Sequence, residues 1–210
     1  MKVLNLYAGI GGNRKLWEDV EVTAVEINEQ IAQIYQDNFP NDKVIVGDAH
    51  QYLLEHYKEF HFIWSSVPCP THSRARFWSS KGGVYSVSYP DMSLYQEIIL
   101  LTNFFKGLWA VENVEPYYGP IFYPAKVLGR HWIWSNFNIQ KLEIESNYIF
   151  DRKDRRRVTK MLGFDIDKYN LADKIKILRN CVHPELGLHI LDCARGTIKA
   201  KDIRQLTINY

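Results

Sequence analysis

Residues 2–12 read KVLNLYAGIGG. An apolar run of strand length closes on Gly9, Gly11 and Gly12, and a helix is expected directly after it, from about Asn13 to Asp19. Glycine at such a junction lets the backbone turn sharply and approach a ligand closely. Alone, the loop reads equally well as a tight strand-to-helix turn. The pattern that follows decides the fold class. EVTAVEI (21–27) reads as a strand, and NEQIAQIYQDNF (28–39) as a helix with Asn28 as its N-cap. VIVGD (44–48) is a short strand and AHQYLLEHY (49–57) a helix. FHFIWSSV (60–67) is an apolar strand, and residues 74–92, rich in Ser, Gly and Arg, read as a long loop. SLYQ (93–96) forms a capping box that opens a helix running to about Phe105. LWAVENV (108–114) and GRHWIWSNFNI (129–139) are strands, with Trp132 and Trp134 sharing one core-facing side. PELGLHILDCARG (184–196) is a helix, with Pro184 in its first turn and Gly196 past its end. Strands alternating with helices give an α/β fold: a mainly parallel sheet with helices on both faces. In such sheets ligands bind beyond the carboxyl ends of the strands.

The chain has 210 residues, enough for one domain spanning 1–210. Its net charge of +2 gives no overall basic signal, so any nucleic-acid contact must come from a local patch. The cysteines are few and odd in number (Cys69, Cys181 and Cys193), and no leader-like run precedes the first strand. A reducing, cytoplasmic setting without disulfides is expected. No apolar run suits a bilayer span, and no metal site is expected.

Three strand tips carry candidate binding groups. Glu26 ends the second strand, where a carboxylate can accept both hydroxyls of a ribose. Asp48 ends the third and could accept from an adenine amino group. Singly, each acid is more often a solvated strand end or a helix cap. Together with the glycines they favour a nucleoside site, and the missing Lys-Ser/Thr argues against a phosphate-binding P-loop. The fourth strand ends in VPCPTHS (67–73), which fixes Cys69 between Pro68 and Pro70. Free cysteine is commonly a small buried hydrophobe. Two prolines at a strand end instead hold this one at a set angle. The fifth strand ends in VENV (111–114), so Glu112 lies beyond the neighbouring strand. Burial would raise its pKa and let it donate a proton.

These motifs resemble those of the cytosine-C5 DNA methyltransferase family. NLYAGIGG is similar to its S-adenosylmethionine loop, VEIN and GDAHQYL to its second and third motifs, and VPCPTHS to its Pro-Cys nucleophile motif. VENV is similar to its Glu-Asn-Val motif, GRHWIWSNF to its arginine-bearing strand, and LRNCVHPELGLHIL to the C-terminal motif that folds back onto the cofactor loop. The resemblance implies a Rossmann-like methyltransferase core binding S-adenosyl-L-methionine. The cofactor residues would be Tyr7, Gly9, Gly11, Gly12, Glu26, Ile27, Asp48, Ala49, Pro68 and Asn180. It implies attack of Cys69 on cytosine C6, Glu112 at N3, Asn113 holding the motif's geometry, and Arg130 contacting the base and orienting Glu112. The base would be flipped out of its duplex. Ser73, Arg74 and Arg76 would contact DNA as the loop 74–92 closes, and Arg155, Arg156 and Arg157 would contact its backbone.

The sequence also departs from the family pattern. Asn5, Tyr7 and Pro70 replace more usual residues, Leu128 stands where a second arginine is usual, and His183 interrupts the final Val-Pro. The family's large target-recognition domain is reduced to residues 140–178. Within it, DRKDRRRVTK (151–160) places six basic residues in ten positions. So short a segment leaves two further readings open. The same chemistry could act on RNA or a free cytosine nucleotide. Otherwise the chain could be a non-catalytic cofactor-binding subunit, or work with a partner subunit that supplies target recognition.

Overall fold

A computed structural model describes residues 1–83, 86, 89–142 and 155–208, with the side chains of 155–157 and 197–208 outside the described set. Seven strands form one sheet: β1 (Lys2–Leu6), β2 (Glu21–Glu26), β3 (Lys43–Val46), β4 (Phe62–Ser65), β5 (Leu108–Val114), β6 (Lys126–Leu128) and β7 (His131–Ser135). Their order is β3-β2-β1-β4-β5-β7-β6. The first five are parallel, while β7 runs antiparallel to both β5 and β6. The sheet is therefore mainly parallel, as the alternation implies, and β6 is an addition to it.

Period-two alternation sorts the strand side chains onto two buried faces. Val3, Phe62, Trp64, Leu108 and Ala110 face one way and pack with Leu186, Ile190, Leu191 and Ala194 of α7 (Pro184–Ile208). Leu4, Leu6, Ile63, Trp109 and Val111 face the other way. There they meet Ala49 and Leu53 of α2 (Ala49–His56) and Leu94, Tyr95, Ile98 and Leu101 of α4 (Ser93–Phe104). Burying one such large apolar side chain stabilises the fold by about 1.5–3 kcal/mol. α1 (Glu29–Asn38) packs beside β2 and β3, and Asn28 caps it by accepting from the Ile31 N–H at 3.1 Å. Among the described residues no helix is long and apolar enough to cross a membrane.

Four local expectations are corrected. Residues 13–19 form turns rather than a helix. Asn13 exchanges side-chain hydrogen bonds with Asn5, Arg14 pairs with Asp42 at 2.8 Å, and Asp19 adopts a positive φ of 55°. So few residues cannot offset the cost of helix nucleation against those contacts. The stretch 74–92 contains a helix, α3 (Arg74–Lys81), not only loop. Ser93 is the first residue of α4 rather than its capping side chain; Asp91 Oδ1 accepts from the Ser93 N–H at 3.0 Å. Finally, α7 runs through Gly196 to Ile208. A glycine inside a helix costs only about 0.5–1 kcal/mol, too little to end one.

The segment 140–178 holds α5 (Arg155–Leu162), while α6 (Lys174–Arg179) begins within it and runs one residue beyond. Val158, Leu162, Phe164 and Ile166, with Leu178 of α6, form one core cluster with Ile10 and Ile34. These residues of the segment are thus packed onto the first glycine loop and α1.

Candidate active site

Parallel pairing aligns the carboxyl ends of β1, β2, β3, β4 and β5 along one sheet edge. Leu6 pairs with both Val25 and Ser65, Glu26 with Val46, and Ser65 with Val111. The motifs after each strand are therefore neighbours. Antiparallel β7 starts at the same edge, where His131 pairs with Val114.

The glycine loop begins at Tyr7, which adopts a positive φ of 54°. Gly9 has a φ of 55°, and a Cβ placed there would meet nothing within 4 Å. Its N–H donates to Glu26 Oε2 at 3.0 Å, while the Asn28 N–H donates to Oε1 at 2.9 Å. The Glu26 carboxylate is thereby fixed at the tip of β2, each oxygen keeping further accepting capacity. Ile27 beside it is 71% exposed, an apolar surface on which a ring can rest. Asp48 caps α2, its Oδ1 accepting from the Gln51 N–H at 2.9 Å, and is itself exposed. An open glycine turn, a fixed carboxylate, a bare isoleucine and a solvent-facing aspartate fit a nucleoside cofactor. Other expected cofactor residues have structural duties. A Cβ on Gly11 would lie 2.3 Å from the Phe39 ring, and one on Gly12 would lie 2.4 Å from the Val182 carbonyl. These two glycines admit packing neighbours. The contact at Gly12 shows the C-terminal segment folded back onto the loop, with exposed Asn180 closing α6 just before it. Ala49 is buried in the core. The Tyr7 hydroxyl donates to Glu97 at 2.6 Å.

Pro68 and Pro70 are exposed, and Cys69 between them is half-buried. The Cys69 carbonyl accepts from the N–H groups of His72 and Ser73, both at 3.0 Å, which closes the turn behind the thiol. The Asn113 side chain donates to the Val67 carbonyl at 3.0 Å and so ties the end of β5 to the backbone just before Pro68 and Cys69. Burial raises the Cys69 thiol, the Glu112 charge raises it further, and Arg130 opposes both without cancelling them.

Glu112 behaves opposite to expectation. Burial alone would raise its carboxyl, but hydrogen bonds from His131 and Ser66, with the charge of Arg130, hold it below the usual carboxylate range. The orienting contact also differs. His131 Nδ1 lies 2.6 Å from Glu112 Oε1. Arg130 stands behind it, its Nε donating to His131 Nε2 at 3.4 Å and its Nη2 to the Arg179 carbonyl at 3.3 Å. The sequence contains the signal in its strand register. The rings of Trp132 and Trp134 lie 6.1 Å apart on one side of β7, which leaves His131 and Ile133 to the side that carries Glu112. Trp134 is buried as expected; Trp132 is only partly so.

Sequence reasoning also misses Glu97. Fully buried, it accepts from Tyr7 and from Ser65 Oγ at 2.5 Å and lies 3.2 Å from His50 Nδ1. Its signal is faint: one acid in an apolar helix, opposite a strand serine.

The expected nucleic-acid contacts are dispersed. Ser73 bridges Pro116, and Arg74 pairs with Glu115 at 2.7 Å and donates to the Pro116 carbonyl at 3.3 Å. Arg76 lines a small cavity with Pro70, Phe77 and Tyr117, where the Phe77 and Tyr117 rings stack at 4.1 Å. Arg155, Arg156 and Arg157 open α5, but their side chains lie outside the described residues, as do residues 151–154.

The sequence model of the C-5 cytosine-specific DNA methylases matches residues 1–114, from the glycine loop through the Glu112–Asn113–Val114 tip. The chain belongs to that family. It takes a Rossmann-like methyltransferase fold. Among solved structures it is similar to a DNMT2 mutant from Spodoptera frugiperda, at 25% identity over 54% of this chain and 35% of that one, with a TM-score of 0.38. It is similar to the Entamoeba histolytica methyltransferase EhMeth at 17% identity, over 54% and 38% of the two chains, with a TM-score of 0.36. The Pyrococcus horikoshii protein PH0226 is 23% identical over 54% and 49%, with a TM-score of 0.38. The chain thus spans less than half the length of each of these three. No curated protein matches it.

Proposed function

We propose that this chain is a DNA (cytosine-5)-methyltransferase acting through a covalent Cys69 adduct. One observation carries the reading: a proline-bracketed cysteine follows β4, and a buried glutamate held by its own hydrogen bonds ends the adjacent strand β5. S-adenosylmethionine, held by the Gly9 turn, Glu26, Ile27 and Asp48, supplies the methyl group. The protein's own residues do the rest. A cytosine flipped from its duplex is the form of substrate whose C6 the thiol can reach. Its ring excludes water from Glu112 and adds to the burial that already favours the protonated carboxyl. As the Cys69 sulfur bonds to C6, the thiol's proton passes through the Glu112 carboxylate to N3, so that ring charge is neutralised as it develops. Once C5 carries the methyl group, loss of the C5 proton to water, departure of the sulfur from C6 and return of the N3 proton release the product and the free thiol. Asn113 keeps the two strand tips in register. The basic start of α5 offers a footprint for phosphate, which positions DNA without reading its sequence.

The test is methyl transfer from labelled S-adenosylmethionine by the full chain to duplex DNA, tRNA and dCMP in parallel. The reading expects label in DNA at cytosine C5. Label confined to RNA or the nucleotide would reassign the substrate. Binding of cofactor with no transfer to any of the three would favour a subunit that depends on a partner.

A further inference from the structure

We infer that His131, rather than Arg130, is the positioning residue that aims Glu112 at the substrate, and that it does so as a neutral imidazole donating from Nδ1. The inference rests on the methyl-transfer reading above. His131 and Glu112 lie on the same side of neighbouring strands, their side chains 14% and 9% exposed, with 2.6 Å between Nδ1 and Oε1. A carboxylate offers only acceptors, so the proton between them sits on Nδ1. The opposite ring nitrogen faces Arg130 Nε at 3.4 Å. A guanidinium offers only donors, so Nε2 must keep its lone pair. Arg130 therefore selects the tautomer, and it is itself anchored on the Arg179 carbonyl of the C-terminal segment. The consequence for catalysis is directional. His131 holds Oε1 and thereby sets the rotation of the carboxylate that N3 of a bound cytosine would meet.

His131→Ala should lower kcat for methyl transfer to duplex DNA roughly ten- to a hundredfold, the effect of losing one hydrogen bond to a charged group. KM for DNA and for cofactor should stay within about threefold, because that hydrogen bond acts on the reacting carboxylate alone. His131→Asn places an amide N–H close to the position of Nδ1–H and should recover most of the rate. A readout that needs no turnover accompanies these. Carbon-13 titration of the Glu112 carboxyl should move to higher pH in His131→Ala and return towards wild type in His131→Asn. Wild-type kcat in His131→Ala overturns the inference, as does an Asn variant that melts like wild type yet is as slow as the Ala variant. Trapping on 5-fluorocytosine DNA separates the two failures. A wild-type adduct with normal kcat in His131→Ala removes only this inference; no wild-type adduct removes the covalent reading and the inference with it.

Discussion

Burial and the Glu112 charge raise the Cys69 thiol while Arg130 pulls it down, so burial and two charged side chains bear on when the nucleophile ionises. A thiol held above its ordinary value is mostly protonated at neutral pH and reacts slowly until substrate arrives. The sign of each contribution gives a prediction. Glu112→Gln removes the raising charge and should shift the pH–rate profile of Cys69 alkylation to lower pH. Arg130→Gln removes the lowering charge and should shift it to higher pH. Iodoacetamide labelling, followed by mass spectrometry on the Cys69 peptide, reads both; profiles that coincide with wild type would contradict this electrostatic arrangement. At this scale Cys69, Glu112 and Asn113 are legible because proline brackets and strand-end motifs are written in consecutive residues. His131 is legible only as lying on the face of β7 opposite Trp132 and Trp134; its contact with Glu112 comes from pairing across β5 and β7. Gly11 and Gly12 are legible as glycines, but their reason lies in Phe39 and Val182, which only the folded chain brings to them.

Two glycines of α7 test how the elements pack. A Cβ on Gly187 would lie 2.1 Å from the Asn13 carbonyl oxygen, a backbone atom that cannot turn aside. Gly187→Ala should therefore destabilise the protein by roughly 1–3 kcal/mol, the usual cost of overpacking. A Cβ on Gly196 would meet nothing within 4 Å. Gly196→Ala should stabilise by roughly 0.5–1 kcal/mol, since alanine loses less backbone entropy in a helix. Thermal melts of the two variants should move in opposite directions, by about 2–4 °C per kcal/mol for a chain of this size; shifts of the same sign would show that α7 is seated differently. Strands β1, β2, β4 and β5 and helices α1 and α2 are legible from period and composition. Residues 13–19 are not, because Asn13 and Arg14 commit their side chains to Asn5 and Asp42. Helix α3 is hidden by its serines and arginines, and Arg74 finds its partner in the loop after β5.

The described residues are organised around one edge of strand ends, with the glycine turn, Glu26 and Asp48 at β1–β3 and Cys69, Glu112 and His131 at β4, β5 and β7. The parallel part of that layout follows from the order of strands and helices. The antiparallel turn through β6 does not, because its three residues carry no periodic signal. The family resemblance reads the segment 140–178 as a reduced recognition region, yet Val158, Leu162, Phe164 and Ile166 within it join the core around Ile10 and Ile34. On the proposed function, the arginines that open α5 meet the phosphate backbone, which carries no sequence information. Replacing Arg155, Arg156 and Arg157 with Ala should therefore weaken binding to all duplexes alike. It should flatten the log–log salt dependence by roughly 0.9 for each phosphate no longer neutralised. Weakening confined to one sequence, at unchanged salt slope, would mean that α5 reads bases. The central claim, that Cys69 attacks cytosine in DNA, is tested most directly by incubating the protein with S-adenosylmethionine and a duplex carrying 5-fluorocytosine, whose fluorine blocks the final elimination. The wild-type chain should form a denaturant-stable DNA adduct that maps to Cys69, and Cys69→Ala should form none. An adduct of equal yield in Cys69→Ala, or none with the wild type on a duplex whose unmodified form it methylates, would contradict the account.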